Sequence, residues 1–157
     1  MGSMETDGRK ETPTERADRN WSELLQELRV MQTGTQILTG FLLTLPFQSR
    51  FADLDDYQRT VYLALVVTTV LATALILAPV SVHRSLFQKQ LKQSIVTVGD
   101  RITRVALAVL ALAVTGTALL VFDVVVGRAA GLVVGGCVLA VMVTLWVVLP
   151  EVLRRRG

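Results

Sequence analysis

Four stretches of this chain carry no charged side chain: residues 30–49, 60–82, 105–122 and 129–150, which are 20, 23, 18 and 22 residues long. A helix needs roughly 20 predominantly apolar residues to cross the ~30 Å hydrocarbon core of a bilayer. In lipid every backbone N–H and C=O must find its partner within the protein, which leaves helices or a closed barrel. None of the runs shows the period-2 alternation of barrel strands. The pattern therefore predicts an all-α integral membrane four-helix bundle over residues 20–157, with those four runs as its spans.

The first two helices are expected to extend beyond the membrane. Trp21, Leu24, Leu25, Leu28 and Met31 form an apolar stripe ahead of the first run, the mark of one helical face. A helix from about Trp21 to Pro46 is about 39 Å long at ~1.5 Å per residue, longer than the hydrocarbon core. Its N-terminal part is then expected in the headgroups or cytosol. Past the second run, Phe87, Leu91, Ile95, Val98 and Ile102 recur at spacings of 4, 4, 3 and 4 and share a face. The second helix is expected to continue through them as an amphipathic extension, with Gly99 as its stop and Asp100 as the cap of the third helix. That extension suits either anionic lipid headgroups or packing against the stripe of the first helix. Residues 1–19 mix both signs of charge around Pro13 and are expected to be disordered. The opening MGSM reads as an added leader, with Met4 the expected natural start.

Polar residues concentrate in the first span. Glu27 and Arg29 stand at its entry, with Gln32, Thr33 and Gln36 deeper, and Gly40 and Thr44 continue the line of Gln32 and Gln36 at four-residue steps. A face that is small or polar throughout a span is not suited to lipid. It serves either as interhelical packing through hydrogen bonds and close approach or as the lining of a hydrated path. In the fourth span Gly127, Gly131 and Gly135 repeat every four residues, two overlapping GxxxG patterns that permit close helix packing or dimerisation. Ala64, Thr68 and Ala72 repeat in the same way in the second span. His83 with Arg84 lies at a span end, where a histidine can titrate near neutrality or simply contact headgroups. Asp123 ends the third span near Arg128, and Cys137 reads as a small packing residue.

Charge sets the orientation. The connection between spans two and three holds Arg84, Lys89, Lys92, Arg101 and Arg104, and the C-terminus holds Arg154, Arg155 and Arg156. The other two loops are short and acidic to neutral. Positive residues favour the cytoplasm, so both termini are expected there, in the inner (plasma) membrane of a bacterium. Composition agrees: 52% of residues are hydrophobic and 18% charged, against about 25% charged in soluble domains. No nucleophile elbow, HExxH, phosphate-binding glycine loop or histidine–carboxylate cluster is present, so no enzyme, metal or cofactor is expected. The basic residues follow topology rather than a nucleic-acid surface. A loose similarity between LAPVSVHR (77–84) and VLPEVLRR (148–155) fits either two parallel helical hairpins, a transporter plan, or chance likeness among apolar helices.

ELRVMQTGTQILTGFLLTLPF (27–47), RFADLDDYQRTVY (50–62) and APVSVHRSLF (78–87) together resemble an uncharacterised family of small four-span bacterial membrane proteins, found mainly in high-GC Gram-positive bacteria. The resemblance covers roughly residues 20 to 150 and matches at Glu27, Leu28, Arg29, Gln32, Thr33, Gly34 and Gln36, with His83 and Arg84. Such sequences are often labelled sodium:proton antiporter by transfer. The label fits poorly, because ion-coupled exchange calls for a titratable group in mid-membrane and only Glu27 approaches that place. The expected function is a small oligomeric channel or transporter for ions, with the polar face of helix one lining or gating the path. The alternative is a non-transporting subunit that binds a partner membrane protein or lipid.

Overall fold

A computed structural model describes residues 12–86 and 92–156 of the chain. Among them the structure is all-helical: α1 (Pro13–Thr44), α2 (Asp56–Leu86), α3 (Lys92–Val125) and α4 (Arg128–Val143). Two 3₁₀ turns, Leu45–Phe47 and Ser49–Asp53, link α1 to α2. The fourth helix runs on through a π-helical turn, Thr144–Val148, into Leu149–Arg156. Three helices are long and apolar enough to cross a membrane, within Asp56–Ser81, Val98–Val125 and Arg128–Arg155. The first helix is not among them, because Glu27, Arg29, Gln32 and Gln36 dilute the apolar run that ends it.

α1 starts earlier than its composition suggests. Pro13 occupies its first turn, the Thr12 hydroxyl accepts from the Glu15 backbone N–H, and the Glu15 carboxylate accepts from the Thr12 N–H at 2.8 Å. That reciprocal capping box makes 13–19 helical, although this stretch was expected to be disordered. These bonds hold the Glu15 carboxyl below its usual range, through the Thr12 backbone N–H first and its hydroxyl second.

The break between α2 and α3 also moves. α2 ends at Leu86 and α3 begins at Lys92, so Gly99 and Asp100 lie inside a helix instead of at a stop and a cap. Phe87 and Leu91 lie outside the described residues, as do the side chains of His83, Arg84 and Ile95. Gly99 is small for a tertiary reason: a Cβ there would stand 3.2 Å from Trp21 Cζ3. Asp100 instead pairs with Arg104 one turn on.

Trp21, Leu24, Leu28 and Met31 bury against Ile76 of α2 and Ala106 of α3, so the apolar stripe of α1 is core. At the other end Leu42, Tyr62, Leu65 and Leu120 cluster. There the Tyr62 hydroxyl donates to the Leu42 carbonyl at 3.1 Å, and Phe51 meets the Tyr62 ring edge-on at 5.0 Å. Trp21 against Gly99 and Leu42 against Leu120 define one register in which α1 and α3 run parallel. Residues 27–44 of α1 accordingly stand at the height of the uncharged run 105–122 of α3.

α4 is different. It packs on α3, its buried residues are Gly131 and Gly135, and the rest of its apolar surface faces outward. In place of a closed four-helix bundle, three helices form a core and the fourth leans on the outside. A helix apolar all round has no preferred inward face; here the buried Gly131 and Gly135 mark the face that meets α3.

Candidate functional site

Two polar constellations stand out, one on the outward face of α1 and one at the loop end of the hairpins. On α1, the buried positions Leu24, Leu28, Met31, Thr35 and Leu42 leave the opposite face uncovered. Arg29, Thr33, Gln36, Gly40 and Thr44 lie along it, all exposed, at spacings of 4, 3, 4 and 4 that keep them in one strip. Gln32 flanks the strip half-buried. Glu27 is exposed as well, but two residues from Arg29 means about 200° round the helix, so it points elsewhere.

The hydroxyls of Thr33 and Thr44 donate back to the Arg29 and Phe41 carbonyls. Gln32, Gln36, Glu27 and Arg29 have no side-chain partner among the described residues. A Cβ on Gly40 or Gly34 would find nothing within 4 Å. Among the described residues the strip therefore joins no two helices through its side chains. By the α1–α3 register Gln36 is level with the middle of the 105–122 run, a primary amide at the centre of an apolar zone, facing out.

In the second constellation every charged side chain has a partner, although Asp123 Oδ2 is met by charge alone. The Asp55 carboxylate caps α2, accepting from the Gln58 N–H at 2.8 Å, while the Gln58 side-chain carbonyl accepts from the Asp55 N–H at 3.1 Å. The Gln58 amide then donates across the structure to Asp123 Oδ1 at 2.9 Å. Arg128 closes the ring. Its Nη2 donates to Asp55 Oδ2 at 2.8 Å, and its Nε stands 2.8 Å from Asp123 Oδ2, an ion pair off the line of a hydrogen bond. Its guanidinium also lies 3.7 Å over the Tyr57 ring. The Asp123 side chain is only 2% exposed, and a carboxylate so buried persists when its charge and lone pairs are met. Sequence spacing signalled the nearness of Asp123 and Arg128, and the Asp55-x-x-Gln58 capping box was there to be read. The long-range link between them was not.

The glycines of α4 divide. Gly131 and Gly135 are seated on α3: an added Cβ would stand 2.7 Å from the Leu119 carbonyl oxygen at the first and 3.0 Å from Leu119 Cβ at the second. Gly127 is instead the residue before the helix, at φ +130° and ψ 168°, a conformation open essentially to glycine alone. The glycine face is thus used within the chain. In α2, Ala72 is buried while Ala64 is exposed. Cys137 is exposed on α4. Among the described residues no cluster of histidine, cysteine or carboxylates could hold a metal.

The described residues thus form an all-helical structure with three membrane-capable helices, a polar outward strip and an ion-pair ring around one buried carboxylate. It belongs to a family of unknown function (DUF6328), whose model matches residues 10–150. No curated protein and no solved structure matches the chain.

Proposed function

We propose that this chain is a four-span subunit of the bacterial plasma membrane that acts in a homo-oligomer, where the α1 strip lines or gates a path for an ion. One observation carries this reading: Gln36 stands exposed and unbonded at mid-height of the apolar zone. A lipid-facing amide there is unfavourable, and water or another chain must meet it. The parallel register of α1 with α3 supports counting α1 as a fourth span despite its polar residues. The basic residues at Arg101, Arg104 and Arg154–Arg156 support placing both termini in the cytoplasm.

The non-transporting reading draws support from the interior of the chain. The buried hydroxyls of Thr35, Thr69 and Thr103 donate to their own helix carbonyls, and α1–α3 enclose packed aliphatic clusters rather than a polar channel. Any path must then lie between copies. Replacing both Gln32 and Gln36 with leucine keeps helix propensity nearly unchanged and separates the two readings. A hydrated path predicts that liposome ion flux falls while assembly persists. A contact surface predicts that assembly weakens first, by roughly 0.6 kcal/mol per lost interhelical bond. Undiminished flux from a fully assembled double variant rejects the pore-lining role.

A further inference from the structure

The contact between α3 and α4 is close at Gly131 and Gly135. Towards the other end of the pair α4 carries large residues and the π-helical turn Thr144–Val148, and a half-open groove of about 420 Å³ separates the helices. Its walls include Leu107, Ala108 and Leu112 on α3 and Met142 and Trp146 on α4. The space is nearly three times the ~150 Å³ that admits benzene to a protein core. One charged residue borders it, Arg104, whose Nη2 is shared with Asp100 at 2.6 Å and whose side chain is 73% exposed. The antiparallel pairing of α3 and α4 brings Arg154 to the same end as Arg101. Neither has an ion pair among the described residues. Trp146 lies about two turns before Arg154 on α4, where an indole bridges apolar and polar surroundings.

We propose that this groove binds one anionic phospholipid, an acyl chain along the Leu107–Leu112 wall and the phosphate at Arg104 with Arg101 and Arg154. Charge complementarity selects this occupant. A zwitterionic lipid leaves the basic end without a net counter-charge, and a second copy seated by the same face brings arginine against arginine. The site is independent of the α1 strip and of any transport role; it rests on α3 and α4 lying in a membrane.

The test is native mass spectrometry of the full-length protein in mixed micelles holding equal phosphatidylglycerol and phosphatidylcholine. The parent retains phosphatidylglycerol preferentially. Arg101→Gln with Arg104→Gln lowers that preference by about fivefold per arginine, the ratio equivalent to ~1 kcal/mol for each basic residue at an anionic surface. Ala108→Phe fills the groove and removes the bound lipid of either kind; if that variant does not fold, Leu112→Trp obstructs the same wall from an exposed position. Equal retention of both lipids by the parent overturns the proposal, and so does a preference that survives both the arginine and the groove-filling changes. A chain that fails to enter the membrane fraction rejects the spanning placement instead, so the two failures are told apart.

Discussion

The ring of Asp55, Gln58 and Arg128 around the buried Asp123 and the open strip of Arg29, Thr33, Gln36 and Gly40 are both polar islands in an apolar chain, and they are managed in opposite ways. In the ring, the Gln58 amide and the Arg128 guanidinium reach across to Asp123 and Asp55, so the group joins α2 to α3 and α4 without help. In the strip, the hydroxyl bonds to its own helix and the Gln36 amide meets no partner among the described residues. Polar groups held away from water are normally satisfied. One chain satisfies its ring, while the Gln36 amide of its strip has no partner among the described residues.

The largest effect should come from breaking the ring on its cationic side. Arg128→Ala leaves the Asp123 carboxylate buried with only the Gln58 amide; this costs up to about 3 kcal/mol, less than for a fully buried pair because the arginine is 44% exposed and screened by solvent. Unfolding in detergent should show that loss, together with weaker protection of the α3–α4 turn. Replacing Asp123 and Arg128 together with leucine should recover much of it, because no uncompensated charge remains. A double variant as unstable as the single one would mean that the ring works through shape rather than charge.

The glycines sharpen the contrast. Gly131→Ala drives a methyl to 2.7 Å from a backbone carbonyl that cannot swing aside, and overpacking of this kind costs about 1–3 kcal/mol. Gly40→Ala meets nothing within the chain, and alanine exceeds glycine in helix propensity by up to ~1 kcal/mol. Thermal melting should therefore fall for the first and hold or rise for the second. If Gly40→Ala instead dissociates a purified oligomer, the strip is closely packed against a neighbouring copy, and the hydrated-path account gives way to contact.

What could be read in advance follows the range of the interactions. The apolar runs announced α2, α3 and α4, and the period of Trp21, Leu24, Leu28 and Met31 announced a buried face, because both are properties of one helix. Gly99 looked like a stop, since a glycine in a helix and a glycine after one carry the same letter; only Trp21, far away in sequence, decides between them. Gly127 fell into a four-residue period with Gly131 and Gly135, yet it serves the turn, and periodicity alone does not say where a helix begins. The ring joins residues 65 and 73 positions apart, a pairing no local pattern encodes. Threonine 12 and Glu15 are the reverse case: their capping box was local, and the surrounding charges obscured it.

That capping box gives the smallest effect, a local polar pair that works by itself like the ring but on the surface. Bonding to Thr12 lowers the Glu15 pKa in the folded state. A depressed carboxyl stabilises the fold above its unfolded pKa, and that contribution is lost as pH falls through the lower folded value. The first turn of α1 should therefore fray below about pH 4, the ordinary glutamate range, while the Trp21–Gly99 contact and the rest of the helix stay intact. Amide exchange at residues 14–18 should rise on acidification with no change at residues 28–42. Glu15→Gln keeps a side-chain acceptor for the Thr12 N–H, as glutamine also completes the box, and should abolish the pH dependence while retaining most of the protection. Equal acid sensitivity in the glutamine variant would trace the fraying to other carboxylates of the N-terminal segment.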